Sequence, residues 1–270
     1  MSKDRIDVSE SDYKTFYGTR RDDTYGREYT TAAAESHAFY PALTSFIERY
    51  NLKDKRCLEI GSSGGAFQDV VSDYSGTDIS EDLAQFYHKP YRVAEGSRYP
   101  FDDNSFDAIW SYAVFEHIPD LQAAMKELYR LLKPGGLVLF CPAWQCRPWA
   151  ADGYAVRPFS DFGIGGKLIK LSVPVRDHVL FRSCFVFPKR LWRHLLFALG
   201  HRSESLRYSK LNANYEHFWV SDSDACNSID PHDAILWFES NGFKCLSHPP
   251  HLAAFLVRTG ALVIRKEDRP

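Results

Sequence analysis

The fold of this 270-residue chain is decided by one stretch of sequence, Cys57-Leu58-Glu59-Ile60-Gly61-Ser62-Ser63-Gly64-Gly65. Leu58 and Ile60 are typical of a short buried strand, which ends at a turn of glycine and serine. Small residues let the backbone approach a ligand closely, and such a turn between a strand and a helix is typical of nucleotide sites in α/β sheets. The stretch therefore predicts a strand, a tight turn that leads into a helix, and a pocket for a cofactor containing a nucleoside.

Acidic residues mark the ends of three successive predicted strands, at Glu59, Asp78 and Glu95. No Lys or Arg occurs between Cys57 and Tyr74. The negative electrostatic potential of these carboxylates disfavours a cofactor that carries pyrophosphate. It favours a cofactor with a cationic amine, a sulfonium and a ribose diol. These groups belong to S-adenosylmethionine, which we predict as the cofactor.

Five motifs share the spacing of one known family. They are the acid and glycines at 59–65, Gly76-Thr77-Asp78-Ile79-Ser80, the segment 95–107, Phe115-Glu116-His117-Ile118-Pro119 and Leu131-Leu132-Lys133-Pro134-Gly135-Gly136. Together they resemble the core of the class I S-adenosylmethionine-dependent methyltransferases, over about a third of the chain. Ser63 departs from the family pattern, because it stands where the family usually has its middle glycine. We expect Ser63 to keep an ordinary backbone angle, since a positive φ costs about 1 kcal/mol, and Gly61 and Gly65 to make the closest backbone approaches.

The resemblance implies an α/β fold with a seven-stranded sheet in the order 3-2-1-4-5-7-6, an antiparallel last strand, and helices on both faces. The sequence pattern predicts strands near 56–60, 74–78, 91–94, 106–112 and 137–141, then 243–247 and 255–265. It predicts helices at 32–50, with a break at Pro41, at 120–132, and from Asp230 to Asn241. We predict a polar N-terminal arm at residues 1–30 and a single methyltransferase domain at 31–270.

A long insertion at about residues 142–229 separates the fifth strand from the final helix. We expect it to form a lid that recognises an anionic or sugar-bearing acceptor; the alternative is a second small core with a solvated basic face. Its predicted helix at 188–199 is amphipathic. The helix either packs on the sheet of its own domain or lies on a membrane surface. The second alternative would favour a lipid-linked glycan as the acceptor. The basic residues are Arg147, Arg157, Lys167, Lys170, Arg176, Arg182, Lys189, Arg190, Arg193, Arg202, Arg207 and Lys210, interleaved with Trp144, Trp149, Tyr154, Phe159, Phe162, Trp192, Tyr208 and Trp219.

The resemblance also implies roles for individual residues. Those expected at the cofactor are Glu59, Gly61 and Gly65 at the methionyl end, Ser62 and Ser63 beside its carboxylate, Asp78 at the ribose, Ile79, Glu95 and Gly96 near adenine, and Tyr112 and Ala113 lining the cleft. His117 is the first candidate base, although a histidine at this place commonly packs beside the cofactor. His217 and Asp222 form a second candidate cluster, for which a hydrogen-bonded loop is the alternative.

These features predict transfer of a methyl group to an oxygen, less readily a nitrogen, of a small or glycan-like acceptor. The sulfonium is already activated, so the enzyme must mainly align the reactants and accept one proton. Two other functions stay open. One is a nicotinamide-dependent oxidoreductase. Such enzymes have glycines with the spacing G-x-G-x-x-G, which is not found at residues 61–66. The other is a non-catalytic partner protein that retained the fold.

The overall composition limits the classes of partner and the cellular compartment that the sequence predicts. The net charge of −2 and spread of basic residues disfavour a nucleic-acid role. Six cysteines without a repeated pair spacing favour a reducing compartment, and Cys141 and Cys146 lack a matching second pair, so we predict no metal site. No stretch of apolar residues approaches the length of roughly 20 residues that spans a bilayer. The residues after Met1 also lack the apolar segment of a signal peptide. We predict a cytoplasmic protein.

Overall fold

The computed structural model describes residues 14–17, 31–248, 255 and 260–267. Residues 14–17 form one helical turn of the N-terminal arm. The helices are α1 (Thr31–Ser36), α2 (Tyr40–Arg49), α3 (Leu121–Leu131), α4 (Ile164–Asp177), α5 (Val179–Ala198) and α6 (Pro231–Ser240). The strands are β1 (Arg56–Ile60), β2 (Asp73–Asp78), β3 (Tyr91–Val93), β4 (Phe106–Tyr112), β5 (Leu132–Cys141), β6 (Tyr208–Lys210), β7 (Asn227–Ile229), β8 (Phe243–Cys245) and β9 (Leu262–Lys266). Short 3₁₀ turns lie at Glu81–Phe86 and Phe159–Asp161.

Seven strands form one sheet in the order β3-β2-β1-β4-β5-β9-β8. Strands β1 to β5 run parallel, while β9 is antiparallel to both β5 and β8. The order 3-2-1-4-5-7-6 is therefore confirmed. The central strands are apolar because both faces of the sheet are covered. Met125 of α3 and Phe238 of α6 belong to the core on one face, and Leu43 and Phe46 of α2 to the core on the other.

Local signals placed several helix ends correctly. The predicted break before Pro41 is confirmed, since α1 ends at Ser36 and α2 begins at Tyr40. The carboxylate of Asp230 accepts a hydrogen bond from the amide of His232 (2.9 Å), and α6 begins at Pro231. These ends were predictable because a capping side chain acts on the backbone only two or three residues away.

The predicted helix after the glycine turn is wrong. Successive turns connect β1 to β2, with hydrogen bonds from the amide of Gly65 to Ser62, of Gln68 to Gly65 and of Val70 to Phe67. Parallel strands need a crossover of about a dozen residues, and residues 61–72 give only that minimum. Because the glycine turn uses the first five of them, too little chain is left for a helix.

Two other predicted boundaries also differ from the structure. The last strand begins at Leu262 rather than Phe255, because the Phe255 carbonyl accepts a hydrogen bond from Arg190 of α5 (3.1 Å) and its ring packs on His232 of α6. Helix α5 begins at Val179, well before Pro188, which it contains. The predicted Pro249-Pro250 turn lies outside the described residues.

The insertion at 142–229 folds into the consecutive helices α4 and α5 and a two-stranded antiparallel sheet of β6 and β7. A loop between β6 and β7 returns toward the main sheet, where the amides of Cys226 and Asn227 donate to the Glu116 carbonyl. Across the described ranges, we find no helix that combines the length and the apolar character needed to cross a bilayer.

Candidate functional site

A cavity of about 750 Å³ opens at the carboxyl ends of β1, β2 and β4. Its border includes the turn after β1, residues 78–80 at the end of β2, and Tyr112, Ala113 and Val114 at the end of β4. Open α/β sheets bind ligands at this edge, where the loops that follow successive parallel strands converge. The strand order thus brings most of the predicted cofactor residues together.

The turn after β1 adopts a left-handed conformation at Ser63, whose φ is 45°. The expectation that Ser63 keeps an ordinary angle is therefore wrong. The Ser63 amide donates to Asp78 Oδ2 (2.9 Å), and the Tyr87 hydroxyl donates to the Ser63 carbonyl (2.9 Å). Hydrogen bonds to a carboxylate are stronger than neutral ones, so these contacts offset the backbone strain.

The two glycines expected to approach the cofactor have different surroundings. Gly61 borders the cavity with φ at 72°, and a Cβ added there would lie 2.0 Å from Cγ2 of Val114. Gly65 does not border the cavity; a Cβ there would lie 2.9 Å from the ring of Tyr87. Gly65 therefore serves the packing of Tyr87 beneath the turn rather than a close approach to the cofactor.

Asp78 borders the cavity and also holds the turn in place. Its Oδ2 accepts from Ser63, and its Oδ1 accepts from the amide of Ile79 (2.7 Å). Burial raises the pKa of the Asp78 carboxyl, while the amides of Ser63, Ile79 and Ser80 oppose that rise. The remaining lone pairs are available to ribose hydroxyls, so the predicted contact stays a prediction that this geometry allows.

Glu59 lies deeper in the same wall and is 5% exposed. The Tyr74 hydroxyl donates to Glu59 Oε2 (2.5 Å). Burial raises the pKa of Glu59 to about 8, although its hydrogen bond from Tyr74 lowers it in part. Glu59 therefore carries mostly the neutral acid form at pH 7 in the absence of a bound cation.

Glu95 is not at the cavity, so the predicted enclosure by three carboxylates is wrong. Its side chain is exposed, whereas Ala94, Gly96 and Tyr99 border the cavity. Adjacent residues of extended chain face opposite sides, so a buried Ala94 turns Glu95 to solvent. Among the described residues the cavity border still contains Glu59, Asp78 and Asp82 but no Lys or Arg. This border fits a cofactor with a cationic amine and sulfonium better than a diphosphate.

His117 borders the cavity beside two buried carboxyls. Its Nε2 lies 3.6 Å from Glu116 Oε1 and its Nδ1 lies 3.8 Å from Asp224 Oδ2. Burial raises the pKa of Glu116, and the charge of His117 and the nearby amides of Glu116 and Ala143 oppose that rise. Within the described part of the chain, however, neither Glu116 oxygen has a hydrogen-bond partner of good geometry. His117 thus lies between two buried carboxyl groups at the edge of the cavity.

Glu116, His117 and Asp222 also have the spacing of a metal site. Their ligand atoms all lie within 4.8 Å of one another, and Asp222 has a φ of 65°. The sequence predicted no metal site, since the first two residues and the third are distant in the chain. One nitrogen and two carboxylates are compatible with a divalent cation, although burial raises the pKa of both carboxyls and so favours their protonated forms.

Several residues at the site were missed from the sequence. Tyr17 borders the cavity, donates to Asp224 Oδ2 (2.6 Å), and packs edge-on against the His117 ring at 6.1 Å. His37, between α1 and α2, also borders the cavity. The aromatic residues of the polar arm were a signal that it packs against something. No sequence pattern identified Asp224 as a partner of His117.

Three expectations for the insertion are not met in the described part of the chain. His217 is exposed and stacks on Trp219 with ring centroids 5.2 Å apart, and it does not border the cavity. Asp222 does not border the cavity, although its carboxylate lies within 4.8 Å of the ligand atoms of Glu116 and His117. No basic residue of the insertion borders the cavity. Four of them instead pair with carboxylates elsewhere, as Arg147 does with Asp177 and Arg193 with Asp233 of α6.

Comparison with known proteins agrees with this geometry. Residues 58–140 match the sequence model of a family described as a methyltransferase domain. The chain is 30% identical over 166 residues to malonyl-[acyl-carrier protein] O-methyltransferase 1 of Coxiella burnetii, covering 56% of this chain and 59% of that protein. It is 30% identical over 192 residues to the chloroplastic tocopherol O-methyltransferase of Arabidopsis thaliana, covering 64% and 50%. The chain thus spans a half to three fifths of these two curated relatives.

A solved S-adenosylmethionine-dependent methyltransferase from Mesorhizobium loti has the same fold. It aligns with a TM-score of 0.50 and 15% identity, over 86% of this chain and 99% of that one. The sheet and its cavity define a Rossmann-like α/β protein of the methyltransferase type. These findings support a class I S-adenosylmethionine-dependent methyltransferase, and the match to the family's sequence model lies within residues 58–140.

Proposed function

We propose that this chain transfers a methyl group from S-adenosylmethionine to an oxygen of a small or glycan-like acceptor, with His117 as the proton acceptor. The observation that carries the proposal is the position of His117 on the cavity wall between Glu116 and Asp224. An oxygen nucleophile gives up a proton when it is methylated, so a basic group at this wall serves the reaction. The two relatives compared above are named O-methyltransferases.

The chain's own residues would hold the cofactor and receive the proton. Bound S-adenosylmethionine supplies an activated methyl carbon. Asp78 would accept hydrogen bonds from the ribose hydroxyls, while the hydroxyls of Ser62 and Ser63 would meet the methionyl carboxylate. A ring nitrogen of His117 would take the acceptor's hydroxyl proton as the new carbon–oxygen bond forms and the bond between the methyl carbon and sulfur breaks, which leaves the thioether S-adenosylhomocysteine. The protonated ring would lie between the side chains of Glu116 and Asp224.

The character of the cavity border favours an acceptor without negative charge. An anionic group would meet Asp78 and Asp82 there without a compensating Lys or Arg among the described residues. We therefore propose a neutral hydroxyl-bearing acceptor in place of the anionic one expected from the basic insertion. Phosphoethanolamine N-methyltransferase 2 of Caenorhabditis elegans is 43% identical over 96 residues, covering 30% of this chain and 22% of that protein, which keeps a nitrogen acceptor as the second candidate.

A search of metabolite extracts for products that gain one methyl group, with and without the protein, tests the reaction. Wild-type protein should generate such a product and His117→Asn should lower its rate by about a hundredfold or more. Both proteins should bind S-adenosylmethionine equally in calorimetry, because the base acts on the acceptor. Equal rates would remove His117 from the mechanism. Cofactor binding without turnover would favour a non-catalytic partner protein.

Cofactor binding is tested separately with Asp78→Asn. We expect the affinity for S-adenosylmethionine to fall about tenfold or more, because a neutral amide accepts hydrogen bonds more weakly than a carboxylate. Asp102→Asn is a matched control on an exposed residue away from the cavity border. Unchanged affinity in Asp78→Asn would contradict the assignment. Tight binding of a reduced nicotinamide cofactor would favour an oxidoreductase.

A further inference from the structure

Helices α4 and α5 of the insertion present apolar side chains to solvent. Among the described residues, sixteen large apolar side chains are exposed, and eleven of them lie between Ile164 and Leu199. Ile164 is 83% exposed, Leu180 69% and Phe185 63%. Exposed apolar side chains that occur singly need no explanation, but their concentration on two consecutive helices marks an interaction surface.

Nine of these eleven residues form one stripe along each helix, and Val179 and Leu180 at the start of α5 lie outside the stripes. On α4 they are Ile164, Leu168, Leu171 and Val175; on α5 they are Phe181, Phe185, Trp192, Leu195 and Leu199, which is the C-cap. Steps of three, four and seven residues keep these side chains on one side of a helix. We call these nine residues the apolar stripes.

The buried residue of each helix shows which side faces the protein. Arg190 is the buried residue of α5 and lies half a helical turn away from the stripe, where it pairs with Asp230 of the main domain. Val173 is the buried residue of α4 and likewise lies opposite its stripe. Because these contacts fix which side of each helix faces the protein, the apolar stripes remain on the outside.

The charge around the stripes is strongly positive. Residues 164–202 contain eight Lys and Arg, and Asp177 is the one acid. The Asp177 carboxylate is paired with Arg147, while Lys167, Arg176, Lys189 and Arg202 are exposed. This positively charged surface would repel the same surface of a second copy and attract an anionic partner. A nucleic acid would satisfy the charge but leave the apolar stripes in water.

We propose that the apolar stripes of α4 and α5 dock this protein on the surface of an anionic lipid bilayer. Apolar side chains would enter the boundary between head groups and acyl chains, and the flanking basic residues would meet the lipid head groups. Trp192 lies within a stripe, and tryptophan is favoured at this boundary. The insertion leaves the sheet after β5 at the same edge as the cavity, so docking brings the cavity mouth near acceptors that reside in the bilayer.

Vesicle flotation of the full chain tests docking without any methyl transfer, so it is independent of the proposed function. Wild-type protein should float with vesicles of equimolar phosphatidylcholine and phosphatidylglycerol, should float poorly with phosphatidylcholine alone, and should release at high salt. Leu171→Glu with Phe185→Glu should reduce binding more than tenfold. Val93→Glu, which changes an exposed apolar residue at the opposite edge of the sheet, should bind as wild type does.

Two lysine variants and a fluorescence measurement complete the test. Lys167→Ser should weaken binding about fivefold, whereas Lys126→Ser on α3 should not change it. Brominated lipids should quench a component of wild-type fluorescence that Trp192→Phe lacks, which tests the proposal even if the glutamate variant fails to fold. Absence of vesicle binding would overturn the proposal, as would an oligomer in solution that Leu171→Glu dissociates. Equal loss of binding in Val93→Glu would also overturn it.

Discussion

Ser63 shows how a single residue can depart from a family pattern and still hold the family's turn. Its amide and carbonyl are both engaged, by Asp78 and Tyr87 respectively. A serine tolerates the positive φ of 45° at a cost of about 1 kcal/mol. The sequence alone could not reveal this, because the two partners come from β2 and from the segment after the 3₁₀ turn at Glu81–Phe86.

Substitutions at Ser63 test this account. Ser63→Val should lower the free energy of unfolding by about 2 kcal/mol, because a β-branched residue is strained at positive φ. Ser63→Gly should stay within about 1 kcal/mol of wild type, since glycine relieves the strain but gains entropy when unfolded. Urea denaturation measures both values. Equal stability of the Val and Gly variants would contradict a left-handed residue at this position.

Glu59 gives the stability of the fold a specific pH dependence. Its pKa is about 8 in the folded chain, compared with 4.5 as an ordinary value. The folded state therefore holds this proton more tightly than the unfolded state. The stabilisation is complete below about pH 4.5 and is lost as the pH rises through about 8, at up to about 1.4 kcal/mol per pH unit.

Glu59→Gln removes this titration while keeping a hydrogen-bond partner for Tyr74. We expect wild type to lose more stability than the variant between pH 5 and pH 8, as measured by urea denaturation across that range. The comparison between the two proteins cancels the titration of other groups. Parallel curves for the two proteins would show that the pKa of Glu59 is not raised.

At the scale of elements, contacts near in the chain were predictable and distant ones were not. The start of α6 followed from Asp230 and Pro231, because a cap acts over one turn. The missing helix between β1 and β2 depends on the length of chain left after the glycine turn. The direction of Glu95 depends on where β3 ends and which residue next turns inward. Both are properties of the assembled sheet rather than of the local sequence.

Helices α5 and α6 are connected by a buried ion pair between Arg190 and Asp230. Arg190 is 3% exposed, and its Nε and Nη2 donate to the Asp230 carboxylate, with Nη2 2.8 Å from Oδ2. Its Nη1 donates to the Phe255 carbonyl (3.1 Å). Removal of one partner of a buried pair leaves the other charge without compensation in a poorly solvated place.

Arg190→Met should therefore lower the free energy of unfolding by about 3 kcal/mol, as measured by chemical denaturation. Arg202→Met is the matched control, because Arg202 is exposed and should change stability by less than about 0.5 kcal/mol. If both variants were equally stable, the pair would not hold α5 against the domain.

At the scale of the whole molecule, burial is distributed unevenly between the methyltransferase sheet and the insertion. Helix α3 buries Leu121, Ala124, Met125, Leu128 and Leu131 against the sheet, whereas α4 and α5 bury one residue each. The sequence predicted the sheet because alternating strands and helices bury apolar residues in a regular way. It could not say which way the amphipathic insertion helices face, since that depends on Asp230 and other distant partners.

Hydrogen exchange measures this difference directly. Local opening costs less free energy where few apolar contacts are broken, so the amides of α4 and α5 should exchange faster than those of α3 in the free protein. Mass spectrometry of peptic peptides resolves these helices. Addition of anionic vesicles should slow exchange in α4 and α5 but leave α3 unchanged, because docking adds contacts only at the insertion. Equal protection of the three helices without lipid would mean that the insertion is as firmly packed as the core.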